Sequence, residues 1–204
     1  KIDGSALEFA SHELRADRTV VTEAVKKSWR ALAFASEEFA EDKQLVLVAV
    51  RQSGLALAYA AERLRNDREV VFEAVKSDWR ALAHAGAKFC RDKDIVRLAI
   101  KQEGLAIENA DDELLCDREF IMEAVLENGL ALEYAAANLQ QDRQIVTEAV
   151  QQNGLSLYYA DPALKDDKEI VVEAVKENGV ALRYASLRLQ ADPDVARYAY
   201  KSNA

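Results

Sequence analysis

The sequence predicts an all-α fold, a right-handed α-solenoid of eight 25-residue helix-turn-helix repeats, and three observations predict it. The stretch ENGLALEYA at 127–135 returns as QSGLALAYA at 52–60, QNGLSLYYA at 152–160 and ENGVALRYA at 177–185. Cutting the chain at 1, 26, 51, 76, 101, 126, 151 and 176 aligns every repeat without a gap, with Ala at positions 10 and 24 and Asp at position 17 of each. Apolar residues then fall at positions 20, 21, 24 and 25, the spacing of one helical face. An uninterrupted period of this length marks a solenoid, in which no repeat buries its apolar face alone and each packs on its neighbour. The expected organisation is one array over 1–204 (1–25, 26–50, 51–75, 76–100, 101–125, 126–150, 151–175 and 176–200). The stub Lys201–Ala204 and the Lys1 start read as an excerpt of a longer chain.

The later half of the repeat is a helix. In Asp67-Arg-Glu-Val-Val-Phe-Glu-Ala-Val75 the aspartate is a favoured N-cap and the following glutamate suits the positive end of the helix dipole. Asp192-Pro193 agrees, because proline is tolerated at the first helical position. This helix should stop at the Asn-Gly, Ser-Gly or Glu-Gly of positions 3 and 4, where six of the seven glycines lie (Gly4, Gly54, Gly104, Gly129, Gly154, Gly179), expected to take a left-handed turn. A short first helix follows, with Ala at positions 6 and 10 marking a close helix contact. Ser or Asp at position 11 (Ser11, Ser36, Asp111, Asp161, Ser186) then starts a single turn, expected to be 3₁₀, ending at the Leu or Phe of position 14. A leucine-rich repeat of similar length would need a Leu-x-x-Leu-x-Leu strand that these repeats lack.

The second and fourth repeats vary together. Trp29 and Trp79 replace glycine, Arg30 and Arg80 follow, Phe39 and Phe89 replace leucine, and Val48 and Leu98 replace the usual glutamate. Four coupled changes suggest a 50-residue duplication.

Composition excludes several classes. There is no apolar run long enough to span a bilayer and no signal-peptide pattern, so no membrane insertion is expected. The net charge is −9, unevenly spread: residues 76–100 carry +3 and residues 101–125 carry −6. Such a field disfavours nucleic acid and could steer a basic partner. With two cysteines, Cys90 and Cys116, read as thiols, the localisation is open but a reducing intracellular compartment is favoured.

No residue set points to catalysis, cofactor binding or a metal. His12 and His84 lack metal-ligand spacing, and His84 occupies the aromatic slot at position 9. No P-loop, dinucleotide fingerprint, GxSxG or HExxH occurs. Position 9 reads Phe9, Phe34, Tyr59, His84, Asn109, Tyr134, Tyr159, Tyr184, a stripe that either seals the seam between helices or holds an extended peptide. The candidate partner-binding residues are therefore Tyr59, Tyr134, Tyr159 and Tyr184, with Glu108, Asp111 and Asp112 of the acidic fifth repeat. Variable positions 8, 12, 13 and 15 are where specificity is expected. The function expected is a non-catalytic protein–protein interaction or scaffolding module whose partner is a protein or peptide, a basic or extended segment. The alternatives are a nucleic-acid-binding helical repeat or an accessory domain of a larger enzyme.

The pattern NGxALxYA followed by Leu, two variable residues and DxxVVxEAV, seen in Asn128–Leu132, Asp142 and Glu148–Val150, resembles the tandem helical repeats of the domain of unknown function 4116 family. The resemblance covers the whole chain, with Trp29 and Trp79 departing from it. It implies helical repeats and supplies no catalytic residue to carry over.

Overall fold

The computed structural model describes residues 4–202, and every regular element among them is helical. The first and last few residues of the sequence, including Lys1 and the stub's Asn203 and Ala204, lie outside the described residues. The chain forms two compact units, Lys1–Asn109 and Ala110–Ala204.

The aspartate-capped helices lie where their caps put them. They run Arg18–Lys27, Lys43–Gln52, Arg68–Ser77 and Lys93–Ile100 in the first unit, and Arg118–Glu127, Arg143–Gln152, Lys168–Glu177 and Pro193–Ser202 in the second. Each cap works through its carboxylate: Asp67 Oδ1 accepts the amides of Glu69 and Val70 at 3.0 and 3.3 Å, and Asp142 those of Gln144 and Ile145 at 2.9 and 3.2 Å. These bonds satisfy N–H groups that a helix start leaves unpaired. The apolar faces behind the caps form the core. Val70, Val71, Ala74 and Val75 are fully buried, as are Ile145, Val146, Ala149 and Val150.

The corner after each helix corrects the expectation of a left-handed glycine. No described residue has a positive φ. The turn is made one residue earlier, by an extended residue such as Ser53 (φ −157°, ψ 124°) or Asn128 (φ −153°, ψ 113°). Its amide closes the helix, Ser53 donating to Ala49 O at 3.1 Å and Asn128 to Ala124 O at 2.9 Å. The asparagine of Asn-Gly is a cap for the next segment: Asn128 Oδ1 accepts from Leu130 N at 3.0 Å. Glycine is needed for another reason. A Cβ on Gly54 would collide with the carbonyl of Ala74, in the capped helix that follows, and would lie 2.9 Å from Asp78 O.

Helix types are also exchanged relative to expectation. The segments Gly54–Tyr59, Gly129–Tyr134, Gly154–Tyr159 and Gly179–Tyr184 are 3₁₀ throughout. The one-turn segments Glu62–Arg65, Asp112–Leu115, Pro162–Lys165 and Leu187–Gln190 are α-helical, and only Ala87–Arg91 is 3₁₀. Three residues per turn put Gly54, Leu57 and Ala60 on one line, and all three are buried. A 3.6-residue helix would rotate Ala60 off that line. Ala56, between them, is also fully buried, as are Ala81, Ala106, Ala131 and Ala181. The alanines do mark close contact.

Consecutive repeats are joined by two ladders. In the backbone ladder the amide at position 11 donates to the position-15 carbonyl of the preceding repeat: Ala61 to Ala40 (2.9 Å) and Gly86 to Arg65 (2.8 Å) in the first unit, Ala136 to Leu115 (3.0 Å) and Ser186 to Lys165 (2.9 Å) in the second. In the charged ladder the basic residue after each cap reaches the next cap. Arg18 meets Asp42 at 2.6 Å, Lys43 meets Asp67 at 2.8 Å, Arg68 meets Asp92 at 2.8 Å, Arg118 meets Asp142 at 2.8 Å, and Lys168 meets Asp192 at 2.7 Å. Arg143 pairs with Asp167 in the same way. Partial burial alone would raise the carboxyls of Asp42, Asp67, Asp92 and Asp167, yet the basic neighbours and amide donors hold all four below the usual range. For Asp142 the Arg118 hydrogen bond is the largest influence, and it too is lowered.

Candidate partner-binding surface

In the second unit the 3₁₀ segments Gly129–Tyr134, Gly154–Tyr159 and Gly179–Tyr184 lie side by side. Their common 25-residue phase brings the terminal tyrosines Tyr134, Tyr159 and Tyr184 into one strip, each half-buried. Tyr158, which the position-9 pattern does not single out, completes the strip. Its ring is 56% exposed, edge-on to Tyr159 at 5.0 Å and to Tyr184 at 5.1 Å between centroids. The available signal was the Tyr-Tyr doublet, found only in QNGLSLYYA among these stretches.

Polar groups frame these rings. The Tyr159 hydroxyl bonds to Glu133; partial burial, aided by that carboxylate, pushes its pKa up to about 12. Lys165 Nζ donates to Tyr158 O at 2.6 Å and sits 5.6 Å from the Tyr158 ring, and burial pulls its ammonium pKa down. The Arg183 guanidinium lies 5.2 Å from the Tyr184 ring. Rings with a wet edge and a polar tip are suited to gripping a partner.

The other candidates are placed differently. Tyr59, in the first unit, is 45% exposed and faces Trp29 at 6.1 Å, with Arg30 4.5 Å over the same indole. Glu108, at the end of the first unit, is exposed, as is Asp112 in the second. Asp111 is committed to structure, accepting from Glu113 N at 3.2 Å as the N-cap of Asp112–Leu115. His84 and Asn109 are half-buried in their slots. No group of His, Cys, Asp and Glu that could hold a metal occurs among the described residues. Cys90 is half-buried and Cys116 exposed, both as thiols.

Positions 8, 12 and 13 are exposed in every repeat, whereas position 15 is half-buried in every repeat. Its side chains turn back to cap the 3₁₀ carbonyls: Arg15 Nε donates to Ala10 O (3.1 Å), Gln140 Nε2 to Leu132 O (3.1 Å) and Gln190 Nε2 to Ala185 O (2.7 Å). Position 15 therefore varies for packing, and three of the four variable positions face outward.

The fold and surface define an all-α tandem-repeat protein with an exposed aromatic strip and no described helix long and apolar enough to cross a membrane. The chain belongs to the family described as domain of unknown function (DUF4116), whose sequence model matches residues 1–40, 42–90, 81–115, 92–140, 117–165 and 167–204. The longest of these matches span 49 residues, close to two sequence periods. Comparison with curated proteins and with solved structures finds no match.

Proposed function

We propose that the chain is a non-catalytic protein-binding module, a right-handed α-solenoid of eight 25-residue repeats that presents the 3₁₀ tyrosine strip to an extended, basic peptide segment. The observation that carries this reading is Tyr158: a large ring, more than half exposed, stacked edge-on against two neighbours and therefore already rigid. A pre-ordered aromatic surface loses little conformational entropy on binding. The acidic balance of residues 101–175, with Glu133 beside Tyr159, favours a cationic partner. Regular ladders between repeats support the solenoid, because each repeat then needs only its neighbours. Small-angle scattering gives a measured shape against which that form can be compared.

The test is titration of the chain with a fluorescent Lys/Arg-rich peptide and a scrambled acidic control, at several salt concentrations. Tyr158→Ala and Tyr184→Ala should each weaken binding about tenfold, as central aromatic contacts do, and Glu108→Lys with Asp112→Lys should reduce its salt dependence. Equal binding by wild type and the tyrosine variants would contradict the proposal. Salt-sensitive binding of an RNA oligonucleotide in place of the peptide would favour the nucleic-acid alternative.

A further inference from the structure

The two ends of the array expose what every internal junction covers. At position 20, Leu45, Val70, Ile95, Ile145, Ile170 and Val195 are no more than 5% exposed, but Val20 is 37% exposed. At position 14, Phe39, Leu64, Phe89, Leu114, Leu139 and Leu189 are no more than 5% exposed, against 47% for Leu14. Together with Leu7, Ala10 and Ala24 these residues line an apolar cleft of about 410 Å³. At the other end, position 25 is buried in Val25, Val50, Val75, Val125, Val150 and Val175, yet Tyr200 is 82% exposed. Leu182 and Ala196, on the same face, are only half-buried.

The internal junctions state what fits such a face: the opposite face of another repeat. We infer that the chain associates head to tail, the Tyr200 face of one copy seating on the Val20 cleft of a second. Charge agrees with this, since residues 1–25 carry −2 and residues 176–204 carry +2. Two polar contacts have internal templates. Arg51 pairs with Glu73 at 2.9 Å, 22 residues on; the same step from Lys201 reaches Glu23 of the second copy. The backbone ladder, 21 residues per rung as in Ala40 to Ala61, places Gln190 O opposite Ser11 N of that copy. Position 18, basic in each earlier repeat, is Pro193 in the last, so the cation that would reach Asp17 is missing and the contact is weaker than an internal one. The interface is heterologous and can propagate.

Sedimentation velocity of the 204-residue chain over a wide concentration range should show reversible growth beyond a dimer. Val20→Glu and Tyr200→Glu should each raise the apparent dissociation constant at least about tenfold, with unchanged helical circular dichroism because both side chains are exposed. Mixing the two variants leaves one sound head and one sound tail per pair. That mixture should give a 1:1 dimer that grows no further. A monomer at all concentrations, undiminished association in either variant, or a mixture that fails to pair would overturn the inference.

Discussion

The corners at Gly54, Gly129 and Gly154 and those at Trp29 and Trp79 share a backbone shape but pack differently. Ser28 and Ser53, preceding a tryptophan and a glycine, are almost superimposable in dihedral terms (φ −152°, ψ 118° and φ −157°, ψ 124°). In the glycine repeats the 3₁₀ segment closes onto the following helix, whereas Trp29–Phe34 and Trp79–His84 stand further off theirs. The wider spacing coincides with a larger side chain one turn on: Phe39 and Phe89, both buried, where the other repeats carry leucine. Glycine in this corner is thus a matter of distance between backbones, and tryptophan is accepted where the rest of the repeat is rebuilt around it.

Swapping the two fillings should break the comparison most visibly. Leu64→Phe puts the bulkier ring into a close-packed glycine repeat and should cost about 1–3 kcal/mol in denaturant unfolding; the reverse change, Phe39→Leu, should leave a small void and cost about 1 kcal/mol. Asp142→Ala, which removes a cap and a rung of the charged ladder alike, should cost about 0.5–2 kcal/mol. That contribution has a pH signature. Because the folded carboxyl is lowered, it is fully present above the unfolded pKa of about 4 and is lost as pH falls through the folded value, so the variant should show a shallower acid limb. Tyr159 should ionise late, near pH 12. Its raised folded pKa means that stability declines as pH rises from about 10, where the unfolded tyrosine ionises, and absorbance titration should lose this late component in Tyr159→Phe. The smallest change expected is at Ser156, which replaces alanine at a fully buried site and whose Oγ has no hydrogen-bond partner. Ser156→Ala should be neutral or slightly stabilising in the same unfolding assay.

Repetition made the helices legible, because one cap and one apolar face, read once, apply along the whole chain. The 3₁₀ corner was misread because Asn-Gly serves both a left-handed turn and an Asn-capped close approach, and only the neighbouring helix separates them. The three-residue spacing of Gly54, Leu57 and Ala60 carried that information, as did the lysine or arginine that follows most caps, from Arg18 to Lys168. The tyrosine strip was legible at position 9. Tyr158 was not, since its prominence comes from packing between Tyr159 and Tyr184, and Asp111's role as a cap removes it from the acidic set available to a partner.

The most direct test of the distance argument is paired unfolding of Gly54→Ala and Gly86→Ala. Neither glycine has a positive φ. A Cβ on Gly54 meets the Ala74 carbonyl, which is fixed in a helix, whereas one on Gly86 meets only the side chain of Asn66, which can swing away. Gly54→Ala should lose about 1–3 kcal/mol, and Gly86→Ala should be unchanged or gain a few tenths, roughly the entropy saved in the unfolded chain. Equal effects at the two sites would contradict the claim that backbone approach selects the corner glycine.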